Sequence, residues 1–179
     1  YESIVERYPT MYNESMNTVL AQEVIRYNRL LVIMHKMLRS VQLALKGEIV
    51  MSEDLDKLGT SMFNNQVPDA FGKVGFLSLK PLSSWVTDLN DRIKFICGWI
   101  DNGAPAAFWL SGFFFPQAFF TGARQNFARK HAIAIDELAY DFKVYDEIEP
   151  ENVTEKPVDG VYCFGLYIEG ARWNKTTHM

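Results

Sequence analysis

The side chains that could act as nucleophiles or as general acids are few in this sequence. Ser111 lacks the G-x-S-x-G pattern of a nucleophile elbow. Cys97 lies on the apolar side of a helical pattern, which favours a small buried residue over a reactive thiol. Asp88 and Asp91 are three residues apart, and a solvated helix face explains this pair better than acid–base catalysis. We therefore predict no catalytic residue in this chain.

Metal and cofactor chemistry also lacks its usual sequence patterns. His35, His131 and His178 lie on separate elements, and neither Cys-x-x-Cys nor His-x-x-x-His spacing occurs. The phosphate-binding patterns G-x-x-x-x-G-K-[ST] and G-x-G-x-x-G are absent from the sequence. We therefore predict no metal ligand and no cofactor-binding residue.

The most suggestive polar group is a basic cluster of Arg124, Arg129, Lys130 and His131. Its last three members fall in the final turn of a predicted helix, where cations compensate the negative end of the helix dipole. Arg124 directly follows a charge-free stretch and could pair with an acid from a neighbouring module. A helix face that complements the dipole and solubilises the protein is the preferred explanation, and Arg124, Arg129 and Lys130 are a candidate interaction surface as the alternative.

Composition narrows the possible partners. The net charge of −4 over 179 residues argues against nucleic acid or an anionic membrane as the main partner.

Cys97 and Cys163 each lie within an apolar run, which predicts buried thiols in a reduced, intracellular protein. The sequence begins without Met and stops just after a strand-like segment, so we expect a piece of a longer polypeptide.

The sequence FWLSGFFFPQAFFTG, residues 108–122, contains seven aromatic rings within 22 charge-free positions at residues 102–123. A membrane span needs about 20 apolar residues, so the length alone would suffice. Glycine and proline at this density would nevertheless break a spanning helix, and lipid cannot satisfy the freed backbone groups. We predict instead two core elements, a short apolar segment ending in a turn and a helix beginning at Pro116.

Helices dominate the first three quarters of the sequence. Asn13 or Ser15 can cap a helix that runs to about residue 46 and ends at Gly47. Its apolar positions alternate in steps of four and three, which predicts partner helices. They are Leu20, Val24, Tyr27, Leu31, Met34, Leu38, Val41 and Leu45.

Two further helices have start signals of their own. Ser52 precedes Glu53 and Asp54, which favour a helix N-terminus; the apolar residues of that helix are Leu55, Leu58, Met62 and Phe63. Ser83 or Ser84 is expected to cap a third helix. The apolar stripe of this third helix is Trp85, Leu89, Ile93, Ile96 and Ile100.

The pattern changes to a period of two after Ile135. Leu138, Tyr140, Phe142 and Val144 alternate with polar residues, which predicts a half-buried strand. An acidic linker at residues 146–160 separates it from a second predicted strand at 160–173, where Gly160, Gly165 and Gly170 suit bulges or close packing. Helices followed by strands indicate an α+β fold with an incomplete sheet, because two strands alone are marginally stable.

Three stretches, in this order, resemble the C-terminal region of dynein heavy chains. They are YPTMYNESMNTVLAQEVIRYNRLL at residues 8–31, the segment from LKPLSSW to HAIAID at 79–136, and PVDGVYCFGLYIEGARWN at 157–174. They cover well over half of the sequence. The aromatic form of FWLSGFFFPQAFFTG looks axonemal rather than cytoplasmic.

The resemblance implies a mainly helical part over residues 1–135 and the first strands of an antiparallel β-barrel over 136–179, incomplete in this chain. It also implies a non-catalytic structural and regulatory segment that packs on the AAA+ ring of an ATP-driven, minus-end-directed microtubule motor. The ATP and Mg²⁺ sites of such a motor lie in earlier AAA+ modules and have no counterpart here. Further implied partners are microtubules and dynein intermediate and light chains, in the axoneme of a cilium or flagellum. The alternative is a free-standing helical adaptor that binds a partner through the heptad-like stripe.

Overall fold

A computed structural model describes residues 2–145 and 148–166 of the protein. The helices are α1 (Glu2–Arg7), α2 (Ser15–Leu45), α3 (Glu53–Phe63), α4 (Asp69–Gly72), α5 (Leu82–Asn102) and α6 (Pro116–His131). Two short strands, β1 (Ala107–Trp109) and β2 (Tyr162–Phe164), and three 3-10 turns at Leu110–Gly112, Ile135–Glu137 and Pro150–Asn152 complete the regular structure. The protein forms two compact units, one of Leu20–Cys97 and one that joins Glu2–Val19 to the described residues from Gly98 onward.

The long helix α2 ends as the sequence predicts. Gly47 has a φ of +77°, a left-handed conformation that favours glycine. Its N–H donates to the carbonyl of Ala44, and the next N–H, of Glu48, donates to Leu43. These two hydrogen bonds form a Schellman motif, which satisfies carbonyl groups that the helix end would otherwise leave without partners.

The buried face of α2 matches the expected stripe in part. Leu20, Val24, Tyr27 and Val41 are buried as expected, but Leu31 and Leu45 are exposed, so the prediction for these two was wrong. Leu30 is fully buried instead, because it lies three residues after Tyr27 and seven after Glu23, both buried, and so shares their face of the helix. On α3, Phe63 was predicted with the apolar face, but it is 91% exposed.

The unit of Leu20–Cys97 has an aromatic centre on α5. The indole of Trp85 is 1% exposed. Its ring stacks against Phe71 at a centroid distance of 6.4 Å and against Phe76 at 5.2 Å. Phe71 belongs to the short helix α4.

One residue, Asn65, ends α3 and caps the start of α5. It has a φ of +55°, and the N–H groups of Asn65 and Gln66 donate to Met62 and Ser61 at the end of α3. Its side-chain Oδ1 accepts from the N–H of Ser83 at 2.9 Å, and its carbonyl accepts from the N–H of Leu82 at 2.9 Å. The prediction that Ser83 or Ser84 caps α5 was therefore wrong, because both lie inside the first turn and the acceptor comes from a distant loop.

Replacing Asn65 with alanine is expected to lower the free energy of unfolding by about 2–3 kcal/mol. The variant loses a helix cap, worth about 1 kcal/mol, and puts alanine in the left-handed region, which asparagine adopts more readily because its side chain hydrogen-bonds locally; this second change costs about 1–2 kcal/mol. Asn65→Gly is the matched control, because glycine keeps the backbone conformation and loses only the cap. Chemical denaturation of both variants checks this, and equal losses would contradict the backbone part of the argument.

The aromatic run forms the core of the second unit. Phe119 is fully buried, with its ring centroid 4.8 Å from that of Phe108 and 4.9 Å from that of Phe113. Trp99, in the last turns of α5, packs edge-on against Phe108 at 5.1 Å. The prediction of two core elements is confirmed, with α6 starting at Pro116. Within the described part of the protein, no helix is long and apolar enough to cross a membrane.

The sheet differs from the expected antiparallel barrel. β1 and β2 pair in parallel, with Ala107, Phe108 and Trp109 opposite Tyr162, Cys163 and Phe164. The mainly helical class is confirmed, but the described residues form a two-stranded parallel sheet and no closed barrel. The division into residues 1–135 and 136–179 stays a prediction.

The strand predicted at Leu138–Val144 is also absent. Residues 138–145 have no regular secondary structure, and Tyr140, Phe142 and Val144 are exposed. Alternation of apolar and polar residues predicts a strand only where a partner strand supplies hydrogen bonds, and none pairs with this segment among the described residues.

The end of β2 lies close to β1, as the glycine spacing suggested for Gly165. A β-carbon on Gly165 would lie 2.5 Å from the Trp109 ring, and its φ is +71°. Gly160 also has a positive φ, of +78°, but a β-carbon there would meet nothing within 4 Å. Gly170 and the rest of the second predicted strand lie outside the described residues.

Candidate interaction site on α6

One face of α6 packs against the first turn of α2, and glycine makes the approach possible. A β-carbon on Gly122 would lie 3.1 Å from Val19 Cγ2 and 3.6 Å from Ser15 Cβ. Gly122 is buried within α6, where glycine is otherwise unfavourable compared with alanine. The close contact therefore gives a packing reason for this residue.

Asn126, one turn further along α6, caps the start of α2. Its Oδ1 accepts from the N–H of Ser15 at 2.8 Å, and its Nδ2 donates to Glu14 Oε1 at 2.8 Å. The same carboxylate oxygen accepts from the N–H of Met16 at 3.0 Å. Both N–H groups belong to the helix end that needs acceptors, and the negative charge of Glu14 suits the positive end of the dipole.

Ser15 was expected as a possible cap, but its hydroxyl connects two side chains of α6 instead. It donates to Gln125 Oε1 at 2.7 Å and accepts from Arg129 at 2.6 Å. The guanidinium of Arg129 also lies 4.5 Å from the centroid of the Tyr12 ring, a cation–π contact. Arg129 therefore joins residues on both sides of the start of α2.

Lys130 and His131 hold the loop before β2. Lys130 Nζ donates to the carbonyl of Val158 at 2.5 Å and to Asp159 Oδ1 at 2.8 Å. His131 Nε2 lies 2.8 Å from the same oxygen. Hydrogen bonds, first from Lys130 and then from His131, hold the pKa of the exposed Asp159 carboxyl below its ordinary value of 3.8. Lys130 and His131 thus share an intramolecular partner, Asp159.

Arg124 faces another side of α6. Its guanidinium lies 5.8 Å from the centroid of the Tyr140 ring. Its Nε is buried and has no hydrogen-bond partner within residues 2–145 and 148–166. The structure therefore does not bring Arg124, Arg129 and Lys130 together into one patch with a common partner. Their role as an interaction surface stays a prediction.

A cleft of about 240 Å³ lies beside these contacts. Trp99, Phe108 and Phe127 contribute apolar lining, and Lys130 and Asp159 contribute charge. Since ligand pockets are typically about 300–1,000 Å³, this cleft is small for a metabolite.

The remaining residues that were considered for catalysis or metal binding are one serine, the two cysteines and two histidines. Ser111 Oγ donates to the carbonyl of Gly165 beside the sheet. Cys97 and Cys163 are exposed, so the prediction of buried thiols was wrong. Cys97 follows the buried Ile96 by one residue, a rotation of about 100° away from the core. His35 is exposed on α2, and His178 lies outside the described residues.

The unit of Leu20–Cys97 contains a buried charge cluster that the sequence analysis missed. Asp88, predicted on a solvated face, is 8% exposed; its Oδ2 accepts from Arg92 Nε at 3.1 Å. Glu23 is 1% exposed and lies 3.4 Å from Arg26. Burial raises the pKa of the neighbouring Tyr27 hydroxyl, and the charge and hydrogen bond of Arg92 oppose that shift. The i,i+4 spacing of Asp88 and Arg92 could have predicted their ion pair from the sequence.

Replacing Asn126 with alanine is expected to lower the free energy of unfolding by about 1–2 kcal/mol, since it removes a helix cap and a second hydrogen bond. Gln117→Ala is the control, because Gln117 is on the more accessible first turn of the same helix and should change stability by less than about 0.5 kcal/mol. Thermal and denaturant unfolding measure both. Similar losses in the two variants would contradict the capping role.

Comparison with known proteins gives a consistent result over the whole sequence. The family model that describes the C-terminal domain of the dynein heavy chain matches residues 1–179. The protein is 51% identical over 173 residues to dynein axonemal heavy chain 1 of Rattus norvegicus, covering 97% of this chain and 4% of that protein. It is 46% identical over 178 residues to dynein axonemal heavy chain 12 of Homo sapiens, covering 99% of this chain and 6% of that protein. It is 45% identical over 177 residues to dynein axonemal heavy chain 3 of Mus musculus, covering 98% of this chain and 4% of that protein. The 179 residues thus span only a small part of the length of these relatives.

Proposed function

This chain belongs to the family of C-terminal domains of dynein heavy chains, and we propose that it is a non-catalytic structural and regulatory segment of an axonemal dynein heavy chain. In this proposal the whole protein is an ATP-driven, minus-end-directed microtubule motor in the axoneme of a cilium or flagellum. The segment packs on the AAA+ ring and modulates motor activity. ATP and Mg²⁺ bind in AAA+ modules elsewhere in the heavy chain.

The observation that carries this proposal is the use of polar side chains where α6 meets α2. Two stretches on which the resemblance to dynein heavy chains rests, SMNTVL at residues 15–20 and TGARQNFAR at 121–129, supply both sides of this contact. The N–H of Ser15 donates to Asn126 Oδ1 at 2.8 Å, and the Ser15 hydroxyl oxygen accepts from the guanidinium of Arg129 at 2.6 Å. Polar side chains that are used to join two helices favour a structural role for this part of the chain over a catalytic one.

The axonemal assignment rests on the relatives reported above, each named as an axonemal heavy chain. Microtubules, together with intermediate and light chains, are proposed as partners of the whole motor and not of this segment. A regulatory effect requires that the segment contact the ring differently in two of its states, because only a difference in contact free energy can shift an equilibrium. The free-standing adaptor is the less favoured alternative, because these relatives contain the domain within a far longer polypeptide.

Two assays on the purified segment test the non-catalytic part of the proposal. We expect no ATP hydrolysis above the buffer control and no change in melting temperature when Mg²⁺-ATP is added, since a ligand that binds the folded state stabilises it. Specific hydrolysis by the purified segment, abolished by unfolding it, would contradict the proposal. The segment should then form a stable complex with a heavy chain from which this C-terminal segment has been deleted. An adaptor with an unrelated partner would not form such a complex.

A further inference from the structure

The loop between α4 and α5 exposes two leucines while both of its ends are fixed. Leu77 is 100% exposed and Leu79 is 84% exposed. Their flanking residues, Phe76 and Lys80, both contact α5. We call residues 76–80 the leucine loop. Two neighbouring leucines held in solvent forgo the free energy of burial, which contact with a partner would recover.

Phe76 anchors the first end of the leucine loop. It is 5% exposed, and its ring stacks on Trp85 at a centroid distance of 5.2 Å and an interplanar angle of 14°. The guanidinium of Arg92 lies 4.0 Å from the centroid of the same ring. Phe76 is thus in contact with an aromatic ring and with a cation that is itself buried and paired with Asp88.

Lys80 anchors the second end through the same carboxylate. Its Nζ lies 3.2 Å from Asp88 Oδ1, while Arg92 occupies Oδ2. Within the loop, the N–H of Lys80 donates to Ser78 Oγ at 3.2 Å. Just before the loop, Gly75 donates to the Phe71 carbonyl at 2.7 Å. Because these contacts already order the loop, a partner would bind it with a small conformational entropy cost.

An open groove adjoins Leu79. It has a volume of about 490 Å³, and its lining includes Asn64, Asn65, Gln66, Leu79 and Lys80. Lys80 is the charged member of this lining, and its ammonium group is paired with Asp88. Amide and apolar groups without a free charge do not suit a nucleic acid or a phosphate, which basic groups recognise. They suit a folded protein surface with a leucine-sized apolar pocket and hydrogen-bonding groups at its rim.

We propose that the leucine loop docks into an apolar pocket on another folded module of the same heavy chain, inserting Leu77 and Leu79. The relatives contain this domain as 4–6% of a much longer polypeptide, so such modules are held near it at high effective concentration. The uncharged groove and the two anchors favour this occupant over a charged ligand. The inference rests on the proposed function, in which the segment packs against the rest of the motor.

Site-specific photo-cross-linking in the full-length heavy chain tests the proposal. A photoreactive amino acid replaces Leu77 in one preparation and Val50 in the control, because Val50 is 89% exposed in the same unit. We expect position 77 to cross-link to residues of the same heavy chain outside residues 1–179, and position 50 to give fewer such products. Equal yields from both positions, cross-links between two heavy chains, or no cross-link from position 77 would overturn the proposal.

Hydrogen exchange on the intact heavy chain gives an independent measurement. We expect the double variant Leu77→Ser, Leu79→Ser to raise the exchange rate of amides 76–80 roughly tenfold or more, since burial of one leucine is worth about that factor. Val50→Ser should leave these rates unchanged. All three residues are exposed, so folding is not at stake. Unchanged rates in the double variant would overturn the leucine-loop proposal alone, whereas an unchanged motor after deletion of residues 1–179 would contradict the proposed function.

Discussion

Replacing Phe119 with alanine is expected to lower the free energy of unfolding by about 3–5 kcal/mol, because a fully buried aromatic side chain is removed and a cavity remains. Phe119 has no exposed surface and contacts the rings of Phe108, Phe113 and Phe120 at centroid distances of 4.8, 4.9 and 5.5 Å. Since small domains have about 5–15 kcal/mol of stability in total, the variant should melt far below the parent protein.

Phe142→Ala is the matched control for Phe119→Ala. Phe142 lies in the same unit but is 69% exposed, with a ring contact to Tyr140 at 6.2 Å. Its replacement should cost less than about 1 kcal/mol. Denaturant unfolding of both variants, followed by tryptophan fluorescence, gives the comparison. If the two losses were similar, the aromatic run would not form the core described above.

Replacing Arg92 with methionine is expected to destabilise the protein by about 2–3 kcal/mol, because the buried Asp88 carboxylate loses its buried partner and keeps only the half-exposed Lys80. Arg92 and Asp88 are each 8% exposed, and Glu23 and Tyr27 lie in the same buried cluster. The variant also loses the cation over the Phe76 ring, so the leucine loop should become more mobile.

Lys94→Met tests whether burial causes that loss. Lys94 pairs with Asp91 at 3.1 Å on the same helix, but the two side chains are 77% and 52% exposed. An exposed pair of this kind contributes about 0–1 kcal/mol. Guanidinium unfolding at constant pH measures both variants. A loss in Arg92→Met no larger than in Lys94→Met would contradict the view that the cluster is buried and paired.

Local signals predicted the helix boundaries well. Ser52 before α3, Pro116 at the start of α6 and Gly47 after α2 act within one turn of their own helix, so their effects can be inferred from a short window. The aromatic run could be assigned to a core for a similar reason, since its glycines and prolines exclude a continuous span.

Features that depend on distant partners could not be predicted in the same way. Asn65 caps α5 from 18 residues away, and Asn126 caps α2 from 111 residues away. The segment predicted as a strand at Leu138–Val144 has the right alternation but no partner strand in the described structure. Asp88 has the spacing of a surface pair, and its burial follows from tertiary packing. Two residues of the candidate interaction surface, Arg129 and Lys130, bind intramolecular partners that no sequence pattern specifies.

The most direct test of the central claim compares microtubule-stimulated ATP turnover by the intact heavy chain with and without residues 1–179. If the segment is a non-catalytic regulator that packs on the ring, the shortened motor should still hydrolyse ATP, with a changed turnover number, and the purified segment should hydrolyse none. An unchanged turnover number, or turnover that appears in the purified segment, would contradict the account.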